Sequence, residues 1–108
     1  MKRYLGNAFS LNMVKPEDLP HVRFMACTLE EVKDWLSTYE WESCVGHADT
    51  ANVISKLLEI DVPQNRTSVT LEMDDCMIVA QYKGPRLEEG ATTLPEGAEI
   101  QWVYVELE

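Results

Sequence analysis

A chain of 108 residues, 45% apolar and 26% charged, builds one domain able to bury about two-thirds of the surface its unfolded form exposes. No apolar run approaches the roughly 18 residues of a membrane span. A formal charge of −10 repels a long polyanion, which would demand an extended basic stripe, so composition argues against a membrane role and against binding long DNA or RNA.

Cys27, Cys44 and Cys76 are odd in number and widely spaced, with no C-x-x-C and no histidine at ligand spacing. They read as buried free thiols, and no disulfide, metal or other cofactor is expected. The residues after Lys2 and Arg3 are too few and too polar for the apolar core of a signal peptide; the expected location is cytoplasmic, and the sequon Asn65-Arg66-Thr67 then has no use. A small anionic ligand needs only a local cation cluster, which Arg66, Lys83 and Arg86 supply if the fold gathers them.

In chain order, Arg3-Tyr4-Leu5-Gly6 begins a short strand, followed by small polar residues spaced among apolar ones through Asn12. Asn7, Ser10 and Asn12 can donate or accept there, or simply close turns. Pro16 and Pro20 bracket a loop, and His21 to Met25 alternates as a second strand, its leading histidine solvated. Thr28-Leu29-Glu30-Glu31 fits a capping box, with Leu29, Val32, Trp35 and Leu36 at helical spacing, so a helix runs to about Tyr39.

Trp41 to Val45 favours a strand that feeds a turn at Gly46. Ala51, Ile54, Leu57 and Leu58 then mark one face of a second helix ending near Leu58. Gly46 permits a tight turn, Asp49 and Thr50 offer side-chain oxygens to the first-turn donors, and His47 sits just before or within that turn. Free N–H groups and the positive helix end suit a phosphate, with an imidazole beside it able to give a proton. Asp49 argues the other way, because a capping carboxylate uses the same donors; both readings stand.

Arg66 to Glu72 alternates as a half-buried strand, Met73-Asp74-Asp75 turns, and Cys76 to Ala80 is apolar on both faces, as in a central strand. Lys83 to Pro95 is a long connection of the kind that forms binding loops or lids, and Ile100 to Leu107 is the final strand. The whole predicts a single α/β (α+β) domain with a mixed sheet of about five strands and two main helices.

Together, Asn7-Ala8-Phe9-Ser10-Leu11-Asn12-Met13, Val45-Gly46-His47, Asn65-Arg66, Val79-Ala80-Gln81 and Arg86-Leu87-Glu88-Glu89-Gly90 resemble, in collinear order over nearly the whole chain, the type III anti-CRISPR ring nucleases. That family was first seen in archaeal viruses and occurs also in bacteria and prophages. The resemblance implies a homodimer with a mixed sheet that cleaves cyclic tetra-adenylate, the second messenger of type III CRISPR systems, with the ring lying across the dimer axis under flap-like loops. By the same resemblance His47 matches the general acid and Glu89 the assisting carboxylate. Arg66 and Arg86 match phosphate-holding arginines, and Asn7, Ser10, Asn12, Thr50 and Gln81 match ligand-contacting positions.

Two departures bear on this assignment. Gly84-Pro85 before Arg86 makes the loop a residue longer than in some viral members, and Glu88 adjoins Glu89, so the choice of Glu89 depends on its place before Gly90. The alternative is a dimeric module that holds a nucleotide or nucleic acid without cutting it, since binder and enzyme need the same arginines.

Overall fold

The computed structural model describes residues 1–108. Its five strands are β1 (Arg3–Gly6), β2 (Val22–Cys27), β3 (Glu42–Ser43), β4 (Cys76–Lys83) and β5 (Glu99–Leu107), with helices α1 (Leu29–Thr38) and α2 (Ala48–Leu58). They form one mixed sheet in the order β2-β5-β4-β1-β3. β1 is parallel to both β3 and β4, while β5 is antiparallel to β4 and β2. The architecture is therefore the expected α+β domain, with β4 at the centre of the sheet.

The alternation of side chains along β1 and β4 divides the core in two. Leu5, Ile78, Ala80 and Trp102 point to one face, where Val32 and Leu36 of α1 and Ala51, Ile54 and Leu58 of α2 cover them. Tyr4, Met77, Val79 and Val105 point to the other, where no α-helix lies and Val14, Val69 and Leu71 from connecting segments pack instead. Because β4 is buried by both layers, its apolar run has no polar face to show.

α1 begins where the capping box places it: the Thr28 N–H donates to Glu31 Oε1 at 2.9 Å and the Glu31 N–H to Thr28 Oγ1 at 3.1 Å. It stops at Tyr39, whose backbone is extended.

The predicted strand at Arg66–Glu72 does not form. Its alternation correctly buries Val69 and Leu71, but both edges of β1 are already taken by β3 and β4, and the segment crosses the sheet face with a single parallel bridge, Val14 to Leu71. Period-two patterning reports one-sided burial, which a strand and an extended loop on a sheet share.

The turn after it is real, but Asp75 is not a solvated turn residue. It is buried, and its two carboxylate oxygens accept the Lys2 N–H at 2.8 Å and the Glu72 N–H at 2.9 Å, tying this loop to the start of β1. The Pro16–Pro20 loop is also more ordered than expected, a 3₁₀ helix over Pro16–His21. β3 keeps only Glu42 and Ser43 of the strand expected over Trp41–Val45.

Candidate functional site at the carboxyl edge of the parallel strands

β1, β3 and β4 are parallel, so their carboxyl ends share one edge of the sheet. In open sheets with parallel strands, ligands bind at that edge, where chains leave in different directions and backbone groups are free. Asn7 follows β1, the Val45-Gly46-His47 turn follows β3, and Gln81 is the third residue from the end of β4.

His47 is itself the N-cap of α2, with extended backbone, an exposed imidazole and no side-chain hydrogen bond to the helix. The Ala51 N–H donates to its carbonyl at 2.9 Å, and the N–H groups of Ala48, Asp49 and Thr50 find no acceptor in the protein. Asp49 and Thr50 do not cap the helix as expected: Asp49 Oδ1 accepts instead from the Gly90 N–H, 2.9 Å away in the long loop. The helix end therefore keeps its donors and its partial positive charge. Thr50 is half-buried in the same first turn.

Gly46 is not there for backbone freedom, because its φ is not in the left-handed region. A β-carbon at this position would stand 3.6 Å from Arg66 Cγ, so the arginine stem passes directly over the turn. Three contacts bring Arg66 here. The Asn65 N–H donates to the Val45 carbonyl at 2.8 Å, Asn65 Nδ2 to the Ser43 carbonyl at 2.7 Å, and Gln64 Nε2 to the Gly46 carbonyl at 3.1 Å. The sequon asparagine is thus a structural brace for the neighbouring arginine, a role that its sequence setting did not signal.

Asn7 joins two parts of the edge. Its Oδ1 accepts from the Gly46 N–H at 3.4 Å, and it also lines, with Gln81, a hollow of about 450 Å³ on the helix-free face whose walls include Phe9, Phe24, Val103 and Val105. Phe9 and Phe24 meet edge to face there, with ring centroids 5.4 Å apart. Ser10 and Asn12 are not tied to the His47 turn by a hydrogen bond: the Ser10 hydroxyl accepts from the Asn12 N–H at 3.3 Å and caps the short 3₁₀ helix Leu11–Met13.

Residues 84–98 form the loop between β4 and β5. At its base Gly84 has φ +152°, and a β-carbon there would stand 2.6 Å from Ala98 Cβ, so the two arms of the loop are pinched together. At its tip the Ala91 N–H donates to the Glu88 carbonyl at 3.0 Å, and Gly90, with φ +81°, holds the third position of that turn, one that a glycine fills without strain. Glu89 therefore occupies the exposed corner of the turn beside the helix end, which is the physical sense of the Glu-Glu-Gly sequence.

Arg86, Glu88 and Glu89 line a polar hollow of about 480 Å³ within the loop. Arg66 is at the His47 turn, while Lys83 and Arg86 stay on the loop stem and the loop; none of the three is in an ion pair. Another cavity, of about 590 Å³, is at the opposite edge of the sheet, between α1 and the start of β1, with Arg3, Trp35, Tyr39 and Tyr104 among its walls. It holds none of the predicted site residues.

Fold and site define a small α+β domain whose polar edge, at the ends of three parallel strands, combines a helix end with free N–H donors, an exposed histidine and a loop carrying paired glutamates. The STIV B116-like family matches residues 3–106, and the chain belongs to it. It is 31% identical over 87 residues to the uncharacterized protein 26 of Sulfolobus islandicus filamentous virus (isolate Iceland/Hveragerdi), across 81% of this chain and 72% of that one. A 41-residue stretch is 49% identical to the uncharacterized protein YddF of Bacillus subtilis (strain 168), covering 36% of this chain and 38% of YddF. The fold superposes on B116 of Sulfolobus turreted icosahedral virus with a TM-score of 0.82 at 25% identity, over 98% of this chain and 99% of that one.

Proposed function

We propose that the protein is a ring nuclease that opens cyclic tetra-adenylate without a metal and so switches off type III CRISPR signalling. The observation that carries this reading is convergence. Asn7, His47, Arg66 and the Glu89-Gly90 tip come from four separate segments that resemble the ring nucleases in sequence, and they meet at one helix end. Relatives in two archaeal viruses accord with a family first seen in such viruses.

The chemistry asks for little beyond these groups. A ribose 2′-hydroxyl attacks the adjacent phosphorus; the bond from 2′-oxygen to phosphorus forms as that from phosphorus to the 5′-oxygen breaks, and the leaving oxygen takes a proton from His47. The hydroxyl proton passes to solvent. Arg66, Arg86 and the free donors of α2 offset charge that builds on the phosphate, and Glu89 orients the imidazole. The hollow that Phe9 and Phe24 help to wall offers aromatic surface of the kind on which a nucleobase stacks.

Dimerisation belongs to the reading, because a ring with two-fold symmetry takes identical contacts from two subunits. Phe24 is 58% exposed and Leu11 68% exposed, leaving a second subunit apolar surface to cover. Light scattering at micromolar concentration should give twice the monomer mass.

The deciding assay is purified protein with cyclic tetra-adenylate in excess EDTA. Linear adenylates ending in a 2′,3′-cyclic phosphate or 3′-phosphate support the proposal. Tight binding with no cleavage favours the second reading, a nucleotide-holding module, to which the same arginines and helix end would be equally suited.

A further inference from the structure

We propose that Asp49 is a latch that holds the long loop on the site, acting as a positioning residue for Glu89; as a statement about catalysis this rests on the ring-nuclease reading above. Residues 85–97 are joined to the rest of the protein by very few directional contacts. The Ala91 to Glu88 and Ala98 to Pro95 bonds are internal to the loop, and the Tyr82 hydroxyl donates to the Pro85 carbonyl at its stem. From the tip, one hydrogen bond reaches the body: the Gly90 N–H to Asp49 Oδ1 at 2.9 Å, across 41 positions of sequence.

The partners are placed so that this bond carries geometric information. The N–H of Gly90 belongs to the peptide that begins at the Glu89 carbonyl, and that peptide lies inside a closed turn with Gly90 at φ +81°. Fixing its direction fixes the Glu89 backbone. Asp49 is half-buried in the first turn of α2, two residues after the cap residue His47, so the latch ties the backbone next to Glu89 to the first turn of the helix that His47 begins.

The same carboxylate stands at the helix end whose N–H groups have no acceptor. A carboxylate in that turn ordinarily bonds the helix donors or rests against the dipole; here one oxygen is directed outward to the loop. It therefore does two separable things. As an acceptor it positions the loop, and as an anion it opposes a phosphate at the helix end.

Two substitutions separate these effects. Asp49→Asn keeps an acceptor oxygen and removes the charge, whereas Asp49→Ala removes both while leaving a good helix former on the outside of the first turn. Hydrogen exchange of the unliganded protein, followed at Gly90 and over residues 84–97, reads the latch without substrate. We expect exchange there to speed up by about tenfold or more in Asp49→Ala and to stay within about twofold of the parent in Asp49→Asn. With cyclic tetra-adenylate, the single-turnover rate should fall about tenfold or more in Asp49→Ala and be largely retained in Asp49→Asn, which should bind the ring several-fold more tightly.

Unchanged loop exchange in Asp49→Ala overturns the latch, as does an equal loss of protection in both variants, which would show that the charge and not the acceptor matters. If the loop loosens only in Asp49→Ala but no variant, nor the parent, cuts the ring, the latch stands and the ring-nuclease reading falls. An active parent whose loop exchange and turnover are both indifferent to Asp49→Ala has the opposite meaning.

Discussion

The stem of Arg66 lies across the backbone of Gly46, its Cγ 3.6 Å from the place a β-carbon would take. With its methylenes packed on the turn, Arg66 stays exposed and has no ion pair to restrain its guanidinium. We expect Arg66→Ala to weaken ring binding by about tenfold to a hundredfold, the range of a charge-assisted hydrogen bond, and to flatten its salt dependence in titration calorimetry. Gly46→Ala tests the packing side. Since the new methyl makes an ordinary contact and φ is already compatible, its melting temperature should stay close to the parent's.

Gly6 behaves in the opposite way. Its β-carbon would fall on Met77 Cε and 2.7 Å from Cys44 Sγ, so the ends of both side chains must shift to admit it, and Met77 is fully buried. Gly6→Ala should cost about 1–3 kcal/mol in urea unfolding, as overpacked cores do. Because Asn7 follows directly, any residual folded protein should also bind the ring less well.

These two glycines show what the residues disclosed and what they withheld. Both helices were legible because a capping box and a three- and four-residue apolar rhythm are local. The central place of β4 followed from its lack of a polar face. The tie between Asp49 and Gly90 and the brace from Asn65 were not legible, since each depends on where residues far apart in the chain come to rest. The false strand at Arg66–Glu72 arose from the same limit: alternation identified the buried side chains but not whether β1 had an open edge. His47, by contrast, is placed correctly by its setting between a turn and a helix, although neither Asp49 nor Thr50 takes up the first-turn donors that their side chains could accept.

Alkaline pH should destabilise the fold. Burial, aided by the Glu42 carboxylate, pushes the Cys44 thiol from its ordinary 9.0 up to about 11. Burial is also the main cause that raises Tyr104, Cys76 and Tyr4. An acid raised in this way keeps its proton in the folded state after the unfolded chain has released it. Between about pH 9 and pH 11 the folded state thus binds more protons, and stability falls as pH rises. Below pH 9 the contribution of Cys44 is whole. Melting curves recorded from pH 7.5 to 10.5 should show a falling midpoint, with a shallower slope in Cys44→Ala; an unchanged slope would mean that the thiol is less desolvated than its surroundings indicate.

His47 separates catalysis from capping most sharply, because its side chain makes no hydrogen bond to the helix that it begins. A capping side chain is worth on the order of 1 kcal/mol. Since the imidazole does no capping, His47→Ala should leave the unfolding free energy nearly unchanged. If it protonates the leaving 5′-oxygen, the same substitution should lower the single-turnover rate by about 10²- to 10⁴-fold while ring affinity stays within a few-fold. Stability, affinity and rate then part company in one variant. A large loss of stability would show that the imidazole supports the helix start after all, and a loss of affinity with the rate intact would make His47 a binding residue. Product ends give an independent reading: a 5′-phosphate, or activity abolished by chelator, would require an activated water on a metal and would remove His47 from the role of general acid.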